Sequence, residues 1–214
     1  MRRSARTATI AIVSALVASA PPAAGQTPPA QDSRTATSRR PEHTEADVRF
    51  MQGMIAHHAQ ALVMAELVPS RTTRKELHDL AERIHVSQQD EIEWIKQWLR
   101  DRGEAVPDSA SMNHAHHGAA ADTAMPGMLT PAEMEQLRNA RGAEFDRLFL
   151  TFMIKHHQGA LTMVRQLFGT PGAGQESYIF EFATDVDADQ LMEIERMRAL
   201  LRTIPPGGTS GTSR

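Results

Sequence analysis

Asp47-Val-Arg-Phe50-Met-Gln-Gly-Met54-Ile55-Ala-His57-His58-Ala-Gln-Ala61-Leu62-Val-Met64 returns later in the chain. The second copy is Asp146-Arg-Leu-Phe149-Leu-Thr-Phe-Met153-Ile154-Lys-His156-His157-Gln-Gly-Ala160-Leu161-Thr-Met163, at a constant offset of 99 (146 − 47). Nine of the 18 positions are identical. Identity at a fixed offset reads as an internal repeat. Within the first copy Phe50, Met54, His57, Ala61, Met64 and Val68 step by four and three. Met51, Ile55, His58, Leu62 and Ala65 run beside them. That period is helical.

A second element repeats at an offset of 102 (183 − 81). Ala81, Gln88, Glu91, Ile92, Glu93 and Leu99 match Ala183, Gln190, Glu193, Ile194, Glu195 and Leu201. Its stripe is Leu77, Ala81, Ile84, Gln88, Ile92, Ile95 and Leu99, again at helical spacing. The unit is therefore helix, turn, helix, used twice. Thr73-Arg-Lys-Glu76 and Thr130-Pro131-Ala-Glu133 have the capping-box pattern, the latter opening a short helix before Gly142. Gly103 is a stop, and Gly169-Thr-Pro171-Gly172 is a turn. Short turns make neighbouring helices antiparallel, so the expected fold is all-α, an antiparallel four-helix bundle.

Outward from this core, Arg2, Arg3 and Arg6 precede a short apolar run from Thr9 to Ala20, and Ala23-Ala24-Gly25 offers small residues. Residues 1–25 read as an export signal peptide whose removal leaves no stable membrane span. Residues 26–42 are rich in Pro, Thr, Ser and Arg and read as a disordered tether. The bundle is expected over 43–204, as repeat one (43–103), a His/Met-rich linker (104–129) and repeat two (130–204). Residues 205–214 form a tail. A net charge of -3 excludes a phosphate backbone as the main partner. A protein partner is not specified.

Ten histidines, 12 methionines and no cysteine define the chemistry. With no thiolate available, the soft donor is the methionine thioether. Adjacent histidines on a helix diverge by about 100°, so each pair places one imidazole in each stripe. Met54 and His57 are one turn apart, as are Met153 and His156, and each couple is a half-site for copper, Cu(I) above all. If the hairpins pack symmetrically, the half-sites face each other. Met64 and Met163 lie about 10 Å further along and serve as core filler or a second site. Burying His57, His58, His156 and His157 without a ligand is costly, because each ring nitrogen needs a partner. Met112, His114, His116 and His117, with Met125 and Met128, form a secondary metal candidate in the linker. His78 and His85 read as hydrogen-bonded or solvated, and Trp94 and Trp98 as packing. Gln88 and Gln190 are placed to hydrogen-bond the histidines.

These motifs carry a resemblance. Asp47, Phe50, Met54-Ile55, His57-His58, Ala61 and Met64-Ala65 resemble the signature of the domain of unknown function 305 family. So do Met125-Pro-Gly-Met128-Leu-Thr-Pro, Glu133-Met134, Leu137, Gly142, Phe145-Asp146, Phe149, Met153-Ile154, His156-His157, Ala160 and Met163. The one departure is Val164 where the first copy has Ala65. The resemblance implies a ferritin-like, exported helical bundle. Some members are similar to periplasmic copper-binding proteins, which makes the four histidines and nearby methionines the expected ligands.

The expected function is binding and buffering of a copper ion outside the cytoplasm, without catalysis. No nucleophile and base stand at motif spacing, and no nucleotide fingerprint is present, so no catalytic or cofactor-binding residue is assigned. Two alternatives remain. A ferritin-like di-metal redox enzyme needs Glu-x-x-His twice. Glu82 and His85 supply it once, but the repeat has Thr184 and Asp187. A metal-free interaction module would use the histidines as pH-sensitive core groups.

Overall fold

Thr44 opens the first helix. Its hydroxyl accepts from the Asp47 backbone N–H at 3.2 Å, and the Asp47 carboxylate accepts from the Thr44 N–H at 2.7 Å. This reciprocal box satisfies two donors that a helix start otherwise leaves unpaired. The computed structural model describes residues 43–107 and 125–205. They form five helices and no strand: α1 (Glu45–Arg71), α2 (Lys75–Asp101), α3 (Pro131–Asn139), α4 (Gly142–Gly169) and α5 (Ser177–Thr203). The chain is thus all-α. The leader at 1–25, the tether at 26–42, the tail beyond Pro205, and Met112, His114, His116 and His117 lie outside the described residues. Among the described residues, no helix is long and apolar enough to cross a membrane.

Helix α1 packs on α2, α4 packs on α5, and α1 meets α4. Thr130 caps α3 with Glu133 as its spacing predicts. Lys155 on α4 donates to the same carboxylate at 2.6 and 2.8 Å, fastening α3 to α4. The Thr73 box does not form. Helix α2 starts at Lys75 behind Arg74, which makes no side-chain cap. Thr72 occupies the turn instead, its hydroxyl accepting from the Arg74 N–H at 3.1 Å. That contact closes the three-residue turn one position too early for Thr73 to cap.

Two buried aspartates cross-link the hairpins. Asp47, at the start of α1, accepts from the Gly174 N–H at 2.7 Å, in the turn between α4 and α5. Asp146, near the start of α4, pairs with Arg74 at 3.2 Å, in the turn between α1 and α2. Each aspartate therefore ties its own hairpin to the other hairpin's turn, which accounts for the same residue at both positions.

The apolar core has two parts. One holds Phe50, Met51, Met54, Ile55, Ile92, Ile95, Leu99, Met163, Leu167, Ile179 and Phe182. The other holds Met64, Val68, Leu77, Ile84, Leu137, Phe145, Phe149, Met153, Ile194 and Met197. The early part of α1 shares its cluster with the late part of α4, and the reverse holds for the other cluster, so these two helices run antiparallel. Each fully buried Phe or Leu contributes roughly 1.5–3 kcal/mol. Between the clusters every long helix carries buried polar residues: His57 and His58 on α1, Gln88 on α2, His156 and His157 on α4, and Gln190 on α5.

Candidate functional site

The four histidines of this layer are fully buried, at 0% exposure. His57 donates from Nε2 to the Pro126 carbonyl at 3.0 Å. His156 donates from Nε2 to the backbone carbonyl of His57, also at 3.0 Å. Their rings lie 3.8 Å apart between centroids, tilted by 36°. His58 and His157 turn the other way, as neighbours on a helix must. His58 Nε2 meets the Glu91 carboxylate at 2.5 Å, and His157 Nε2 meets the Glu193 carboxylate at 2.6 Å.

These partners decide the tautomers. Carbonyl and carboxylate oxygens accept and do not donate, so the hydrogen of each ring sits on Nε2. In a neutral ring Nδ1 then carries the lone pair. All four Nδ1 atoms are buried and have no hydrogen-bond partner among the described residues. A proton there would have no acceptor among the described residues. Burial pushes the His57 imidazole down to about 3, with the adjacent His58 reinforcing the effect against the bond to Pro126. Burial, then the neighbouring His57, holds His156 well below the usual histidine range.

A turn at 125–129 closes one side of the layer. It seats on α4 at Gly159, where an added Cβ would stand 2.0 Å from the Pro126 carbonyl oxygen. Gly127 has φ 76°, a conformation that L side chains rarely adopt. Gln60 clamps the turn, donating to the Leu129 carbonyl at 3.1 Å and accepting from the Leu129 N–H at 2.7 Å. The Met125 sulfur and the Met163 methyl both reach Gly53, one turn before His57.

The methionines are not arranged as simple facing half-sites. Met54 and Met163 belong to the cluster on one side of the polar layer, and Met64 and Met153 to the cluster on the other. Met54 and Met153 are thus separated by the layer, because α1 and α4 are antiparallel. Met128 is half-buried beside Leu129. The glutamines do not bond the histidines: both polar atoms of Gln88 and the Gln190 oxygen lack partners among the described residues. Glu91 and Glu193 take that place. Their identity in both copies was the available signal, and nothing in the period told which of Gln88 and Glu91 would reach a ring. Among the described residues, no three His, Cys, Asp or Glu side chains converge to hold a metal ion. His78 bonds the Thr72 carbonyl at 2.9 Å. Trp98 is buried, whereas Trp94 is 38% exposed and stacks on Phe182 at 5.0 Å.

The model of the family named for its domain of unknown function, DUF305, matches residues 47–201. Among solved structures, a DUF305 fragment from Deinococcus radiodurans is 29% identical, with a TM-score of 0.63, covering 76% of this chain and 99% of that one. A DUF305 protein of Streptomyces coelicolor, described as a candidate secreted protein, is 27% identical, with a TM-score of 0.61 and coverage of 77% and 97%. CopM in its Cu(II)-bound form is 28% identical, with a TM-score of 0.58 and coverage of 73% and 95%. No curated protein matches the chain significantly.

Proposed function

This chain belongs to the DUF305 family, and from that premise we propose that it binds and buffers copper as an exported, ferritin-like antiparallel four-helix bundle. One observation carries the reading: four buried Nδ1 atoms in one layer have no hydrogen-bond partner among the described residues. Buried polar atoms are nearly always satisfied, and each that is not costs about 1–3 kcal/mol. A cation offers those lone pairs the partner that the described residues do not.

The donor set fits a soft or borderline ion. His57 and His156 hold two imidazoles in contact, and His58 and His157 extend the layer toward α2 and α5. Met54 and Met163 stand in the apolar cluster on one side of it, and Met64 and Met153 in the cluster on the other. Thioether and imidazole suit Cu(I), which tolerates low coordination numbers and needs no third histidine or carboxylate. Methionine is flexible enough to turn its sulfur into such a site. Copper is here the cargo. CopM, with Cu(II)-bound and Cu(I)-bound forms, supports the choice of metal. The arginine-led apolar run before Ala23, and the secreted description of the Streptomyces coelicolor protein, support export. Met112, His114, His116 and His117 would pass the ion inward past Met125 and Met128.

Competition titration with a chromophoric Cu(I) chelator tests this reading. The parent chain is compared with His57→Leu/His156→Leu and with a variant carrying alanine at Met112, His114, His116 and His117. The layer variant is expected to lose at least about 100-fold in affinity, more than the loss of a supporting partner brings. The linker variant keeps the tight site. Tight binding retained by the layer variant and lost by the linker variant would move the site out of the bundle.

A further inference from the structure

The four histidines are anchored by two different kinds of oxygen. His57 and His156 lean on neutral backbone carbonyls. His58 and His157 lean on the carboxylates of Glu91 and Glu193, which come from the partner helix of each hairpin. The carboxylates are only partly open to solvent, at 23% and 13% side-chain exposure, while the rings that they hold are at 0%. The same contact occurs in both hairpins with the same ring nitrogen. A chance surface ion pair would not place itself twice at the edge of one buried layer.

We infer that Glu91 and Glu193 are positioning residues that fix Nδ1 of His58 and His157 as the metal-binding atom and bias the layer toward the higher-charged ion, Cu(II). The inference rests on the copper reading above and adds two residues to it. A carboxylate on the far nitrogen orients the ring, keeps its hydrogen on Nε2 and drives electron density toward Nδ1. An electron-rich donor gains more from a doubly charged ion than from a singly charged one. His57 and His156, backed by carbonyls, lack that push and suit Cu(I). The layer therefore holds two classes of imidazole, an inner stacked pair and an outer carboxylate-backed pair.

The test uses the full chain and two readouts. In the metal-free protein, long-range 1H–15N correlation of the histidine rings reports which nitrogen carries hydrogen. His58 and His157 are expected with a protonated Nε2 and a bare Nδ1. In Glu91→Leu, His58 loses that single tautomer while His157 keeps it. Hydrogen on Nδ1 in the parent chain would overturn the inference whether or not metal binds.

The second readout is affinity for Cu(II) and for Ag(I), a redox-inert stand-in for Cu(I), by competition titration. Glu91→Gln/Glu193→Gln keeps an acceptor oxygen for each Nε2–H but removes the charge. It is expected to weaken Cu(II) by about 10–100-fold and Ag(I) by far less. Each tenfold gap raises the Cu(II)/Cu(I) potential by about 59 mV. Asp189→Asn removes an exposed charge that feels both glutamates but touches no histidine, and it leaves the ratio unchanged. Equal loss of both ions, or a ratio shift as large in Asp189→Asn, would overturn this inference alone. Failure of the parent chain to bind either ion would overturn the copper reading itself.

Discussion

Gly159 has no room for a methyl group, since its Cβ would meet the Pro126 carbonyl oxygen at 2.0 Å and the Gly127 Cα at 2.6 Å. Gly159→Ala should therefore lift the 125–129 turn, cost about 1–3 kcal/mol as overpacking does, and free His57 from its carbonyl. Chemical denaturation, with the His57 ring resonances as a local probe, checks both effects. Protonation gives a second prediction. His57 is held down to about 3 when folded against an ordinary 6.5, so the unfolded chain binds the extra proton between those values. Its contribution is fully present above about pH 6.5 and is lost as pH falls toward about 3, with a limiting slope near 1.4 kcal/mol per pH unit for each such group. His156 acts in the same direction. His57→Leu/His156→Leu should flatten that acid branch, and an unchanged slope in melting against pH would contradict it. The histidines themselves were legible from sequence, because their spacing repeats. The tautomers were not, because they depend on Pro126 and Glu91, which only folding brings within 3.0 Å.

Helix ends show a similar division. Thr130 with Glu133 forms the box that its spacing promises. Thr73 with Glu76 has the same spacing and forms none, because Thr72 closes the preceding turn. Local pattern therefore proposes a cap, and the path of the chain into the helix decides it. Asp47 and Asp146 show what the repeat alone could not reveal. Identity at two equivalent positions marked them, but their ties to Gly174 and Arg74 cross from one hairpin to the other. Asp47→Ala removes the carboxylate half of the α1 capping box, with Thr44 left as the cap, together with the Gly174 bond. Asp146→Ala removes one bond to a partly exposed arginine. Urea denaturation should find Asp47→Ala the costlier by at least about 1 kcal/mol, since hydrogen bonds to charged groups contribute about 1.5–3 kcal/mol. Equal cost would show that the Gly174 tie contributes nothing.

The molecule stacks two apolar clusters around one polar layer that all four long helices cross. The helical period exposed the stripes and the class of fold, yet it ran unbroken through His57, Gln88, His156 and Gln190. Period reports which face points inward and is blind to the level at which polar residues from four helices meet. Each buried Nδ1 atom without a partner among the described residues costs about 1–3 kcal/mol. His57→Leu/His156→Leu should accordingly melt higher than the parent when both are metal-free. The most direct measurement is thermal unfolding of the parent chain and this variant with and without Cu(I), under anaerobic conditions. An ion at about 100 times its Kd adds about 2.7 kcal/mol to the state it binds, a rise of roughly 5–10 °C for a domain of this size. The parent should show that rise and the variant should lose it. A parent chain that melts at one temperature with and without copper would contradict the assignment of the four buried imidazoles to a metal.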